Sequence, residues 1–201
     1  MNVQDYDDIM LRNEQWDKKR GINGMDKNIF LENLPEITFE DYMKYDKGSR
    51  GHMGEMIPVS VYRLLEYSLK EELAECFGKE KQVEIFRKAG YRAGKYFTDH
   101  MLDRTLPLNE FVSQLQTRME EMKIGILRLE RIEESGKMIL TVSEDADCSG
   151  LPLLGETVCN YDEGFIGGIL SAYTGKEYTA TEIDCWATGD RVCRFCAETN
   201  E

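Results

Sequence analysis

Residues 178–197 read YTATEIDCWATGDRVCRFCA, and this stretch decides the fold. Its first part, residues 178–186, has the composition of a strand, with β-branched and aromatic residues prominent. Ala187-Thr188-Gly189-Asp190 is a tight turn. Residues 191–197 return as a second strand, so the stretch predicts an antiparallel hairpin. Working back along the chain, residues 124–132 (IGILRLERI) alternate apolar and polar in their second half. Ser135-Gly136 is a turn, and residues 138–142 (MILTV) form the strand that follows it. A second hairpin is therefore expected. Between the two hairpins, residues 157–173 carry Phe165, Ile166, Ile169 and Leu170 at helical spacing, and Gly175 stops that helix.

Further upstream the period is helical throughout. Pro58 suits the first turn of a helix, and Val61, Leu64, Leu65, Leu69 and Leu73 follow three and four residues apart until Gly78. A second helix over residues 79–102 places Val83, Phe86, Gly90, Ala93, Gly94 and Phe97 on one face. Gly90 and Gly94 lie one turn apart in AGYRAG. Glycine weakens a helix, so two of them on one face predict close approach by another element. Pro107 and Asn109 introduce a third helix with Phe111, Leu115 and Met119. Helices first, then two hairpins with an inserted helix, predict an α+β fold: N-terminal helices packed on an antiparallel sheet. Residues 1–49 are polar and turn-rich, with apolar pieces at residues 29–31 and 39–45, and read as an N-terminal extension or lid. Residues 50–201 are the expected ligand-binding domain.

Acidic residues number 38 against 25 Lys and Arg, a formal charge of −13. That balance counts against direct nucleic-acid binding, which needs a basic footprint, and against docking on anionic membranes. No apolar run reaches the length of a membrane span, and the opening MNVQDYDDIM lacks the basic-then-apolar pattern of a secretory signal. The expectation is a cytoplasmic protein, in a compartment where clustered thiols point to metal or redox chemistry.

Five of the six cysteines fall from residue 148 onward. Cys185 and Cys193 flank the last turn, and Cys159 comes from the start of the preceding helix. A helix thiolate and ligands from a hairpin can close a tetrahedral zinc site. Glu182 is a candidate fourth ligand. On a regular strand, however, Glu182 and Cys185 face opposite ways, so a bulge or turn must intervene. Cys193-Arg194-Phe195-Cys196 competes as a C-x2-C pair, in which Cys196 would replace Glu182. On chemistry alone zinc, inert buried thiols and redox or iron–sulfur chemistry all stay open. The chain carries no G-x-G-x-x-G loop after a strand, and His52 and His100 have no recognisable nucleophile partner, which favours a binding module over an enzyme.

The pattern Cys159-x3-Glu163-Gly164, Gly167-Gly168, Glu182-x2-Cys185-x3-Gly189-x3-Cys193-x-Phe195 resembles the 4-vinyl reductase domain family of predicted hydrocarbon-binding proteins. Arg50-Gly51, Pro58, Tyr62-Arg63 and Gly90-x3-Gly94 are similar to the amino-terminal part of that domain. The resemblance implies an α+β fold shared with the sensor domains of phenol-responsive regulators, and more distantly with vesicle-tethering subunits and haem nitric-oxide sensors. It implies a homodimer enclosing an apolar pocket. It also implies a zinc ion held by Cys159, Glu182, Cys185 and Cys193, with Cys148 and Cys196 as alternate ligands or redox reporters. The regulators carry ATPase and DNA-binding domains after the sensor. This chain stops at Glu201, so the expected sensor acts through a separate effector protein. The alternative readings are a reductase or accessory protein in tetrapyrrole or hydrocarbon metabolism, and a thiol redox sensor using Cys193 and Cys196. Walls for a small hydrophobic ligand are available in Tyr91, Phe97, Met101, Phe111 and Met119, and in Phe165, Ile169 and Trp186 near the metal site.

Overall fold

The computed structural model describes residues 37–199. By its contacts the chain divides into Met1–Pro58 and Val59–Glu201. Most of the expected extension or lid over residues 1–49, including the apolar piece at 29–31, lies outside the described residues. The piece at 39–45 begins with a one-turn helix, α1 (Phe39–Tyr42). The Thr38 N–H and hydroxyl both donate to Asp41 Oδ2 at its start, at 3.0 and 2.8 Å.

The second unit runs α2 (Val59–Phe77), α3 (Lys79–Met101), α4 (Leu108–Glu121), β1 (Ile126–Ile132), β2 (Met138–Ser143), α5 (Asn160–Thr174), β3 (Tyr178–Asp184) and β4 (Cys193–Thr199). The four strands form one antiparallel sheet in the order β1-β2-β4-β3. The two expected hairpins are therefore joined edge to edge through β2 and β4, and the fold is α+β. The strands of the last hairpin are shorter than the sequence suggests. A 3-10 turn at Trp186–Thr188, followed by Gly189 at φ 109°, widens the connection. Among the described residues no helix is long and apolar enough to cross a membrane.

Strand register sorts the side chains. Val142 pairs with Leu127 and Cys193, Leu140 with Leu129 and Phe195, and Ala197 with Met138 and Ala180. Alternation puts these residues, with Tyr178 and Glu182, on one face. Phe111, Leu115 and Met119 of α4 and Phe165, Ile166, Ile169 and Leu170 of α5 join them in the core.

The α3–α5 contact is the tightest in the fold. A Cβ placed on Gly90 would lie 2.0 Å from the Tyr161 carbonyl oxygen, and one on Gly94 2.1 Å from that of Phe165. The relation is reciprocal: a Cβ on Gly164 would meet Arg87 O at 2.0 Å, and one on Gly168 would meet Tyr91 O at 2.2 Å. Two glycine pairs, each one turn apart, thus let the helix backbones touch. The approach predicted from AGYRAG is present, and its partner is Gly164-x3-Gly168.

The orientation of α2 departs from a simple reading of its periodicity. Its apolar stripe faces outward, with Leu64 and Leu65 73% and 69% exposed, while Glu66 and Lys70 are buried. The cause lies on the opposite side of the helix. There Tyr62, Arg63, Tyr67 and Lys70 hydrogen-bond the segment between β2 and α5. Period identifies a stripe; it does not say what covers it.

Candidate functional site

β2 and β3 end, and β4 begins, at the same end of the sheet. Cys193 opens β4 on the inner face. Cys159 is the N-cap residue of α5. Cys185 follows β3, just beyond a register shift between Glu182 and Asp184, the irregularity that strand parity requires. Cys148 descends from the loop after β2. The four sulfurs lie within 4.8 Å of one another, and all four residues are buried. Cys159 Sγ is 3.7 Å from Cys193 Sγ and 3.9 Å from Cys185 Sγ, and Cys148 Sγ is 3.0 Å from Cys193 Sγ. A tetrahedral zinc with Zn–S bonds of ~2.3 Å sets its sulfurs about 3.8 Å apart. Two of these separations already fit such an ion, and a small rotation of Cys148 opens the third. Hydrogen bonding from Cys148 above all, then from Cys159 and Cys193, lowers the Cys185 pKa. Bonding with Cys148 first, then with Cys185 and Cys193, raises that of Cys159. The cluster is thus polarised toward a thiolate, the form that binds metal.

The sequence-expected Glu182 borders this cluster. Its Oε2 accepts the Cys159 N–H at 3.1 Å, and its Oε1 is buried with no hydrogen-bond partner. Burial, then hydrogen bonding with Cys185, pushes its carboxyl up to about 8. The sulfur group shares Cys159, Cys185 and Cys193 with the expected set and adds Cys148. Cys196 does not join it. Cys196 pairs with Ile139 and Thr181 and alternates away from Cys193, so the C-x2-C pair is split by the pleat.

Glu163, part of the sequence pattern without a role, positions the site. Arg87 of α3 grips it with two hydrogen bonds, Nε to Oε2 at 2.5 Å and Nη2 to Oε1 at 3.0 Å. Glu163 Oε1 also accepts the Glu182 N–H at 2.9 Å. One buried carboxylate therefore ties α3, α5 and β3 together beside the sulfurs.

The Cys148 loop is clamped from two sides. Arg63 donates to Ala146 O at 2.7 Å and Ser149 O at 2.8 Å, and Tyr67 donates to Asp147 O at 3.1 Å. On the other side Trp186 Nε1 donates to Leu151 O at 3.0 Å, and the Leu154 N–H donates to Ala187 O at 2.8 Å. Beneath the loop four acids are buried: Glu66, Asp145, Asp147 and Asp162. Burial, reinforced by the Asp147 charge, pushes Glu66 and Asp145 each up to about 7. Sequence reading does not find this group, because its members come from α2, a loop and α5.

Of the candidate pocket residues, Phe97, Phe111, Met119, Phe165 and Ile169 are buried, and Tyr91, Met101 and Trp186 are half-buried. An apolar gap of about 10 Å³ lies between Leu115 and Met119 of α4, Leu127 and Leu140 of the sheet, and Ile166, Ile169 and Leu170 of α5. That is close to the least space that holds one water molecule. Ile169 and Met119 line this gap. The other candidates lie elsewhere.

The family model of the vinyl-4-reductase (V-4-R) domain matches residues 138–199, the span from β2 to β4 that carries all four sulfurs and Glu182. The chain belongs to the vinyl-4-reductase domain family. Over 177 residues this vinyl-4-reductase-family chain is 24% identical to the uncharacterized protein MJ0150 of Methanocaldococcus jannaschii, covering 88% of the chain and 95% of that relative. Its fold is similar to the crystal structure of a vinyl-4-reductase family protein from the same organism. The TM-score there is 0.53 at 14% identity, covering 74% of this chain and 85% of that one. It is also similar to the phenol-responsive sensory domain of the transcription activator PoxR with phenol. The TM-score is 0.54 at 15% identity, covering 72% of this chain and 76% of that one. At these identities the likeness is one of fold.

Proposed function

We propose that this vinyl-4-reductase-family protein is a zinc-stapled binding and sensing module for a small apolar or aromatic molecule, signalling through a separate effector protein. The observation that carries the reading is the convergence of four buried sulfurs at the end of a sheet face that also holds an apolar gap. The donor set suits zinc, and four protein ligands leave no open position, so the metal is structural. Zinc would join the Cys148 loop, the start of α5 and the β3–β4 hairpin into one rigid wall. Cys159, Cys185 and Cys193 are donors in this proposal. For the fourth position the sulfur geometry favours Cys148 over the sequence-expected Glu182. The phenol seen in the PoxR sensory domain supports an aromatic ligand of similar size here. The six free cysteines agree with a reducing, cytoplasmic setting.

Metal-loaded protein titrated with phenol should show a rise in Tm that grows with phenol concentration. Ile169→Phe, which fills the gap, should abolish that rise without changing metal content. A metal-loaded wild type whose Tm no phenol-sized probe moves overturns the sensing reading.

The outward stripe of α2 supports the homodimer. Val61, Leu64, Leu65 and Leu69 are all exposed on one helix, an apolar patch of the kind that marks an interface. Wild-type protein is expected to sediment as a dimer, and Leu64→Glu with Leu65→Glu as a monomer of unchanged helix content. A monomeric wild type at tens of micromolar removes the dimer from the proposal.

A further inference from the structure

Cys159 belongs to two donor groups at once. On one side are the other three sulfurs. On the other, the Cys159 sulfur and the carboxylate oxygens of Asp145 and Asp162 lie within 4.8 Å of one another. Asp162 is the third residue of α5, and Asp145 stands two residues beyond β2. Asp145 is 3% exposed. Its Oδ1 accepts the Asp147 N–H at 2.7 Å, while its Oδ2 is buried with no hydrogen-bond partner.

The surroundings repeat that deficit. Asp147 and Glu66 are 2% and 6% exposed, and each has one buried oxygen, Oδ2 and Oε2 respectively, without a partner. Their other oxygens are satisfied: Tyr62 donates to Asp147 Oδ1 at 2.6 Å, and Lys70 to Glu66 Oε1 at 2.5 Å. Four buried carboxylates thus face few cations. The Lys70 ammonium is shared between Glu66 and the Val158 carbonyl oxygen. The Arg63 guanidinium is committed to the backbone carbonyls of Asp145, Ala146 and Ser149. Arg87 serves Glu163. A buried carboxylate without a counter-charge or a full set of hydrogen bonds costs several kcal/mol. A thiolate at Cys159 adds further negative charge to the same space. Protons shared between carboxyls relieve part of this deficit, but they leave the orphaned oxygens turned toward one another. A divalent cation relieves charge and coordination together.

We propose that Asp145 and Asp162, with the Cys159 sulfur as a bridge, hold a second divalent ion of the zinc class beside the four-sulfur site. A mixed carboxylate and thiolate set selects a zinc-like ion over magnesium or calcium, which take oxygen alone. A bridging thiolate donates one lone pair to each ion, and a shared ligand holds a metal pair about 3.5–4 Å apart. The free oxygens of Asp147 and Glu66 are acceptors for water on the second ion. The proposal rests on the reading of the four sulfurs as the first metal site.

The test is zinc content per chain, after anaerobic loading with zinc chloride and desalting, in the wild type and in Asp145→Asn/Asp162→Asn. The expected result is two zinc ions in the wild type and one in the Asn pair. In cobalt-loaded protein, the thiolate-to-cobalt absorption of the Asn pair should persist. One zinc in the wild type, unchanged in the Asn pair, overturns the second site and leaves the first standing. Two in both proteins overturns the assignment to Asp145 and Asp162. No zinc in the wild type removes the four-sulfur site and this proposal together. Where the Asn pair fails to fold, Asp162→Asn alone carries the test with the same outcomes.

Discussion

Gly94→Val should abolish the folded protein. Its Cβ would sit 2.1 Å from the Phe165 carbonyl oxygen and 3.0 Å from the Ile169 nitrogen, so the obstruction is backbone and no rotamer relieves it. Overpacking that side chains can absorb costs about 1–3 kcal/mol. Here the helix axes themselves must separate. Separation breaks the edge-to-face contact of Phe97 with Phe165, whose ring centroids are 5.3 Å apart. It also pulls Arg87 from Glu163, and with it the hydrogen bond that holds the Glu182 backbone. A domain of this size has only about 5–15 kcal/mol of stability to lose. The expected observation is insoluble protein, or soluble protein without a cooperative thermal transition. Gly155→Ala is the control. It has φ 77° and nothing within 4 Å of the new Cβ, so only backbone strain opposes it. That strain is worth about 1 kcal/mol, a Tm shift of about 2–4 °C. A Gly94→Val protein that melts like the control contradicts the close α3–α5 contact.

The contrast between α3 and α2 shows which features a sequence carries. Glycines in a helix interior are intrinsically unfavourable, so Gly90 and Gly94 announce a compensating contact. The parity conflict between Glu182 and Cys185 likewise announces a backbone irregularity, and the register shift at that position supplies it. Both are local conflicts with a simple rule, and local conflicts are visible in sequence. The direction in which α2 faces is not local. It depends on Arg63 reaching Ala146 and Lys70 reaching Val158, more than eighty residues away. The same holds for the fourth sulfur. Cys148 sits in an irregular loop whose course is set by Tyr62, Arg63 and Tyr67, so no periodicity points it toward Cys193. Glu163 is an intermediate case. Its place next to Gly164 is part of a recognisable pattern, but its role requires Arg87 and the Glu182 backbone to be close in space.

Removing the metal should release the end of the sheet where the four sulfurs meet. Binding of structural zinc contributes about 10–16 kcal/mol in small zinc-dependent folds. The thiolate lost in Cys185→Ser cannot be replaced from Cys196, which alternates onto the opposite sheet face from Cys193. Cys185→Ser is therefore expected to lose zinc and to melt well below the wild type. Amide exchange should accelerate in the Cys148 loop and the β3–β4 hairpin, while α3, held by the glycine contact, stays protected. Chelation of the wild type should reproduce that exchange pattern, and acidification should promote zinc release because the thiols must be deprotonated to bind. Two further variants separate the candidates for the fourth donor. If Cys148 is the ligand, Cys148→Ser should weaken zinc binding by about 100-fold or more, and Glu182→Gln, which removes only a group beside the Cys159 N–H, should lower it by about 10-fold or less. If Glu182 is the ligand, the two effects exchange places, and the 3.0 Å approach of Cys148 to Cys193 is then packing between a ligand and a spare thiol. Equal and negligible losses from both variants, with Cys185→Ser still metal-bound, would overturn the zinc staple itself.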